Sequence, residues 1–194
     1  VFDTAPEPWF RNYGFCRQKH NQIDYSPRNI LRSETKGATS RRTHVFNFGY
    51  FDLMPFQGFE RSDNYLFYGK FNEERIRRLK ELQKKGIKIN ALQGVWGHER
   101  DIQIRQAKAI INIGKFSPNT LEVYRIWHSL CLGTPVYSDA GIDESLTKQY
   151  SKYINISEKL DAESLLVPPI SPSVYKKETS FVESVDSLLE FVCK

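Results

Sequence analysis

Between residues 65 and 156 short apolar runs alternate with segments whose apolar residues recur at helical spacing, and this alternation narrows the fold more than any other feature. Tyr65-Leu66-Phe67-Tyr68 is continuously apolar, as a strand buried on both faces must be, and Gly69 closes it. Asn72 then offers a helix N-cap with Glu73 and Glu74 in the first turn, Ile76, Leu79 and Leu82 follow at helical spacing, and Gly86 stops the run. Residues 87–92 form the next strand, residues 99–108 a shorter helix and residues 109–113 a third strand. A helix running from Thr120 to Leu132 ends at Gly133, and residues 135–138 give a fourth strand. A helix over 143–150 and a weaker strand over 153–156 complete the series. Strands separated by helices require crossover connections, and these predict an α/β protein with a single doubly wound parallel sheet.

The flanks read differently. Residues 1–43 keep neither period and mix Phe2, Trp9, Phe10, Tyr13 and Phe15 with Arg and Lys, which predicts an irregular N-terminal extension, aromatic and basic. Within it, Ser26 as N-cap and Pro27 at the first helical position start a helix that Gly37 would end. Residues 44–48 read as a short strand, Pro168 to Pro172 as a surface linker, and Phe181 to Val192 as a closing C-terminal helix. The division expected is 1–43 as extension and 44–194 as the sheet domain.

With 194 residues the chain can bury roughly 70% of its unfolded surface and needs no metal or disulfide to hold a core. Cys16, Cys131 and Cys193 are odd in number and far apart, which fits a reducing, cytoplasmic compartment. No apolar run approaches the ~18 residues of a membrane span. The formal charge of +5 is uneven: residues 1–100 carry 18 Lys+Arg against 11 Asp+Glu, and the remainder 10 against 12. A basic half suggests an anionic partner, and the segment 17–42 keeps nucleic acid open as one.

In an open parallel sheet ligands bind at the carboxyl ends of the strands. Gly69 lets a ligand approach the backbone, and Lys70 adds a full charge to the partial charge of the following helix N-terminus, a seat suited to a diphosphate. Gly94-Val95-Trp96-Gly97 holds an indole between two glycines, either as core or as a stacking platform for a planar base. At the next helix start, Glu122 can accept two hydrogen bonds from vicinal hydroxyls, and Arg125 one turn later can pair with it or meet a phosphate. His128 and Cys131 share a face of an apolar helix and read as core, not as base and nucleophile. There is no Walker loop, GxGxxG, HExxH or GxSxG, so P-loop, dinucleotide, zinc-protease and hydrolase chemistries lack local support, and no metal site is expected.

The ordered stretches Tyr65 to Asn72, Ala107 to Ile113, Asn119 to Ile126 and Gly133 to Asp139 resemble the C-terminal, nucleotide-sugar-binding half of GT-B-fold glycosyltransferases of the group 1 type. Asp24 to Ile30 with Phe48-Gly49-Tyr50 is similar to that family's passage between its two halves. The resemblance covers roughly residues 24–160. It implies a Rossmann-like domain over 44–194 and hexosyltransferase-like activity on a nucleoside-diphosphate sugar, with UDP as the nucleotide and no cofactor. It also implies a donor site of Gly69, Lys70, Trp96, Gly97, Asn119, Thr120, Glu122 and Arg125, with Lys70 at the diphosphate and Glu122 on the ribose as the catalytic pair.

The family's second glutamate falls here on Leu130. A complete enzyme of this design has two such domains, so either one precedes Val1 or residues 1–43 serve in its place, with Asp3, Glu7, His20 and Asp24 as candidate acceptor bases. The competing expectation is a non-catalytic binding module whose basic half meets nucleic acid or a protein partner.

Overall fold

The structure, a computed structural model, describes residues 21–35, 42–53, 60–115 and 120–193. Two parallel sheets are present among them. The smaller pairs β1 (Gln22–Asp24) with β2 (Thr43–Val45), joined by helix α1 (Pro27–Thr35). The larger is built from β3 (Tyr65–Tyr68), β4 (Ile89–Leu92), β5 (Ile110–Asn112), β6 (Val136–Asp139) and β7 (Asn155–Ser157), in the order β4-β3-β5-β6-β7 with every pair parallel. The connecting helices are α2 (Glu73–Lys84), α3 (Gly97–Gln106), α4 (Val123–Cys131) and α5 (Glu144–Tyr150). A 3₁₀ turn (Ser164–Leu166), α6 (Pro172–Glu178) and α7 (Phe181–Cys193) close the chain.

Both sheet faces are covered, and the strand residues alternate between them. Leu66 and Tyr68 join Ile104 of α3, Ile126 and Leu130 of α4, Leu146 of α5 and Tyr175 of α6 on one side. Tyr65 and Phe67 join Leu79 and Leu82 of α2, Ile111, Tyr137 and Leu165 on the other. Each fully buried Leu, Ile or Phe contributes roughly 1.5–3 kcal/mol of transfer free energy, so these two clusters hold the layers together. A buried bidentate pair adds direction: Arg78 of α2 grips Asp139 at the end of β6, with Nη2–Oδ1 at 2.6 Å, while the Leu160 amide donates to the same oxygen at 2.8 Å. The doubly wound, Rossmann-like α/β fold with its closing helix is thus present.

Local differences have physical reasons. The strand expected over 44–48 is shorter and pairs with β1, outside the five-stranded sheet. The linker expected at Pro168 to Pro172 runs over residues 168–171 without helix or strand, and α6 begins at its last residue, because Ser171 caps the Ser173 amide and Pro172 occupies the first turn, where its missing N–H costs nothing. The helix expected from Thr120 begins at Val123, with Glu122 as its N-cap residue.

Candidate functional site

The chain runs from β3 outward to β4 and then returns to lay β5 on the other side of β3. This reversal opens a crevice beyond the carboxyl ends of β3 and β5, the position where open α/β sheets bind ligands. A cavity of about 980 Å³ occupies it. Its walls come from the segments that follow β3, β4 and β5, from the start of α4, and from Tyr25 just after β1.

Asn72 assembles the loops. Its Oδ1 accepts from the Arg75 amide at 2.9 Å and so caps α2, while its Nδ2 donates to the Lys115 carbonyl beyond β5. The Phe71 amide donates to Gln93 Oε1 at 2.9 Å, tying the segment after β3 to that after β4.

At the floor, Glu122 is paired with two arginines. One oxygen meets Arg75 Nη2, and the other lies 2.8 Å from Arg125 Nη2. Arg75 is 2% exposed and also donates to the carbonyls of Ile113 (3.0 Å and 2.7 Å) and Lys70 (2.8 Å). Burial pulls its guanidinium below the ordinary value, and Glu122 pulls the other way. Arg125 donates through Nη1 to Asn112 Oδ1 at 2.7 Å, Asn112 donates to Ser138 Oγ at 2.8 Å, and the Arg125 guanidinium lies over the Phe67 and Tyr68 rings at 5.2 Å and 5.5 Å. Both arginines are thereby desolvated, hydrogen-bonded and neutralised in part by one carboxylate.

Gly69 serves this floor. Its φ of +128° is in the region that favours glycine, and a Cβ there would sit 2.8 Å from Arg125 Nη2. An arginine of the chain thus approaches the Gly69 backbone closely.

The rim is built differently. Lys70 is exposed, and its ammonium makes no hydrogen bond or ion pair among the described residues. Trp96 is 74% exposed at the N-cap position of α3, and Gly97, the first residue of that helix, has φ +59°. Tyr124 is also exposed and stacks on His128, with centroids 5.9 Å apart. Lys115 and Arg100 line the same cavity, and Arg100 Nη2 lies 3.3 Å from Asp101 Oδ1. Five cationic side chains, Lys70, Arg75, Arg100, Lys115 and Arg125, therefore face a cavity with one carboxylate, Glu122. Sequence reasoning missed Arg75, Arg100 and Lys115. Arg75 stands three residues beyond the Asn72 cap, one turn into α2, which is the signal that could have found it.

Thr120 is buried in the cavity wall, and Asn119 lies outside the described residues. His128 and Cys131 are buried, as core residues. Burial, with Arg100 nearby, pushes His128 down to about 4 despite the opposing Asp101 carboxylate, so the ring is neutral. Its Nε2–H donates to Asp101 Oδ1 at 3.1 Å. Burial pushes the Cys131 thiol up to about 11, which leaves it unreactive. Asp24 accepts from the Ser26 amide (2.9 Å) and Asn29 Nδ2 (3.2 Å) within its own turn, while Asp3, Glu7 and His20 lie outside the described residues. Of the basic segment 17–42, Arg28 donates to the Ile142 carbonyl and Arg42 covers the Phe191 ring. Among the described residues no group of His, Cys, Asp and Glu is placed to hold a metal, and no helix is long and apolar enough to cross a membrane.

No protein-family model matches the chain, and no curated protein matches its sequence. Among solved structures it is similar to AviGT4, a glycosyltransferase involved in avilamycin A biosynthesis, with a TM-score of 0.56 over 86% of this chain at 11% sequence identity. The chain spans 61% of the length of that structure, and the likeness is one of fold.

Proposed function

We propose that this chain is the nucleotide-sugar-binding part of a GT-B-type glycosyltransferase, moving a hexose from uridine diphosphate to an acceptor. The observation that carries the proposal is the cavity at the sheet's switch point, where five cations face one carboxylate that is itself already paired. The fold shared with a glycosyltransferase supports it.

The diphosphate is assigned to the Gly69-Lys70 turn, with Lys115 and Arg100 adding charge from the opposite walls. When the bond from the sugar to the diphosphate oxygen breaks, negative charge grows on the leaving group. Fixed cations in a partly desolvated cleft lower that barrier. In this reading the chain's own cations take up the charge, and no cofactor is assigned. The uracil is assigned to the exposed face of Trp96, close to Gly97. An ionised carboxylate has about four lone-pair sites, and the two arginines leave some of Glu122's unused on the cavity side, where vicinal ribose hydroxyls can donate. Thr120, Asn119 and Arg125 complete the donor site, Arg125 by holding Glu122 in place. Localisation in the cytoplasm, where such donors are available, fits the scattered cysteines.

Calorimetric titration with UDP and UDP-hexoses is the test. Saturable heat with one of them, accompanied by a rise in melting temperature, is expected. Absence of both with every common nucleotide overturns the proposal.

A further inference from the structure

We infer that Asp143, which lies outside the cavity, is a positioning residue: it clamps the turn carrying Tyr25 onto the loop after β6 and thereby fixes one wall of the cavity. Ser26 Oγ donates to Asp143 Oδ2 at 2.6 Å across 117 positions of sequence, and the Arg28 amide donates to the same oxygen at 3.3 Å. Arg28 Nη1 adds a bond to the Ile142 carbonyl at 2.7 Å. The other oxygen, Oδ1, accepts from the Leu146 amide (3.1 Å) and Ser145 Oγ (2.7 Å), which caps α5. One carboxylate thus serves two helix starts, its own and that of α1.

Ser26, Asn29 and Asp143 are buried, so water does not replace these bonds. Burial alone would raise the Asp143 carboxyl, and the donors from Ser26, Ser145, Leu146 and Arg28 outweigh it and hold the group below the ordinary aspartate value. A hydroxyl bonded to a buried carboxylate is among the stronger neutral-to-ion contacts a protein makes. Tyr25 is the residue immediately before this knot, is half-buried and lines the cavity. The β1–β2 pair that carries it is a two-stranded sheet, which has marginal stability by itself and depends on docking. The position of Tyr25 is therefore set by a residue of the loop after β6 that does not line the cavity.

The choice of variants separates the two duties of the carboxylate. Asp143→Asn keeps a good N-cap for α5 but puts an NH2 where Oδ2 accepted, so the Arg28 amide loses its acceptor and the charge-assisted bond from the Ser26 hydroxyl is lost. Ser26→Ala breaks the same bond from the other side. Hydrogen exchange read on the intact chain is expected to show amides 26–30 exchanging roughly tenfold faster in both variants, with amides 146–150 unchanged. The ligand arm rests on the function proposed above: UDP affinity should fall severalfold in Ser26→Ala and in Tyr25→Ala, and the double variant should lose little more than Tyr25→Ala alone. Unchanged exchange at 26–30 overturns the clamp, as do additive losses in the double variant. A wild-type chain that binds no UDP overturns the function instead, and the exchange result then decides the clamp alone.

Discussion

The floor and the rim of the cavity carry the same kinds of residue under opposite conditions. On the floor, Arg75 and Arg125 are buried, and their guanidinium nitrogens, Arg125 Nε apart, are engaged by Glu122, backbone carbonyls and Asn112. On the rim, Lys70 and Trp96 stand in solvent. Polar groups on the floor hold one another, so removing one leaves its partners desolvated and unpaired. The Lys70 ammonium and the Trp96 indole make no hydrogen bond or ion pair among the described residues, so removing either costs only what a ligand gained from it. The contrast separates shape from recognition, and each substitution below tests on which side of that line a residue stands.

Glu122→Ala is expected to have the largest effect. It strands two buried guanidinium groups, and breaking a buried pair in this way costs about 3–5 kcal/mol. For a chain of this size that lowers Tm by roughly 6–20 °C. Nucleotide affinity should be lost as well, since the arginines would rearrange into the cavity. A thermal denaturation curve that overlays the wild type would move Glu122 from the floor to the rim.

His128 lies between the two regions, stacked beneath Tyr124 and bonded to Asp101. Its pKa is about 4 in the fold, against ~6.5 in an unfolded chain. The unfolded state therefore binds a proton that the native state refuses. The stabilisation is complete above pH ~6.5 and is lost as pH falls from there toward 4, on the order of 3 kcal/mol in all. Urea midpoints measured at pH 7 and pH 4.5 should differ by less in His128→Gln than in the wild type. An equal difference in the two proteins would show that other groups govern the acid limb.

How far the sequence revealed these regions follows from which interactions are local. The alternation of strands and helices over 65–156 is a local pattern, and the sheet appears where it predicts, as does α1 from its Ser26-Pro27 start. The pairing of β1 with β2 joins residues about twenty positions apart, and no three-residue strand announces its partner. Gly69, Lys70, Trp96 and Glu122 were legible as residues at strand ends, because the fold dictates that strand ends matter. Their partners were not. Arg75 meets Glu122 across 47 positions and Ser26 meets Asp143 across 117, and nothing in the spacing of either residue encodes the other. The purpose of Gly69 was likewise hidden, since its neighbour Arg125 is brought to it only by packing.

Trp96→Ala addresses the rim. With an indole so exposed, the change in stability should stay within about 0.5 kcal/mol. Stacking of a base on an aromatic ring is worth about 1–3 kcal/mol, so UDP affinity should fall by about 5- to 150-fold, with affinity for inorganic pyrophosphate unchanged. Equal losses for both ligands would mean that Trp96 shapes the loop and does not bind the base.

Lys70→Ala is expected to have the smallest effect and to discriminate most finely. Its ammonium contacts no other described group, so melting should be unaltered. A single solvent-exposed charge facing a phosphate is worth on the order of 1 kcal/mol and is screened by salt. Affinity for UDP should therefore fall severalfold at low ionic strength and much less at high, whereas the Trp96→Ala loss should be nearly the same at both. A Lys70→Ala loss indifferent to salt would mean that the ammonium is desolvated in the complex, and the boundary between floor and rim would then be drawn by ligand binding and not by the fold.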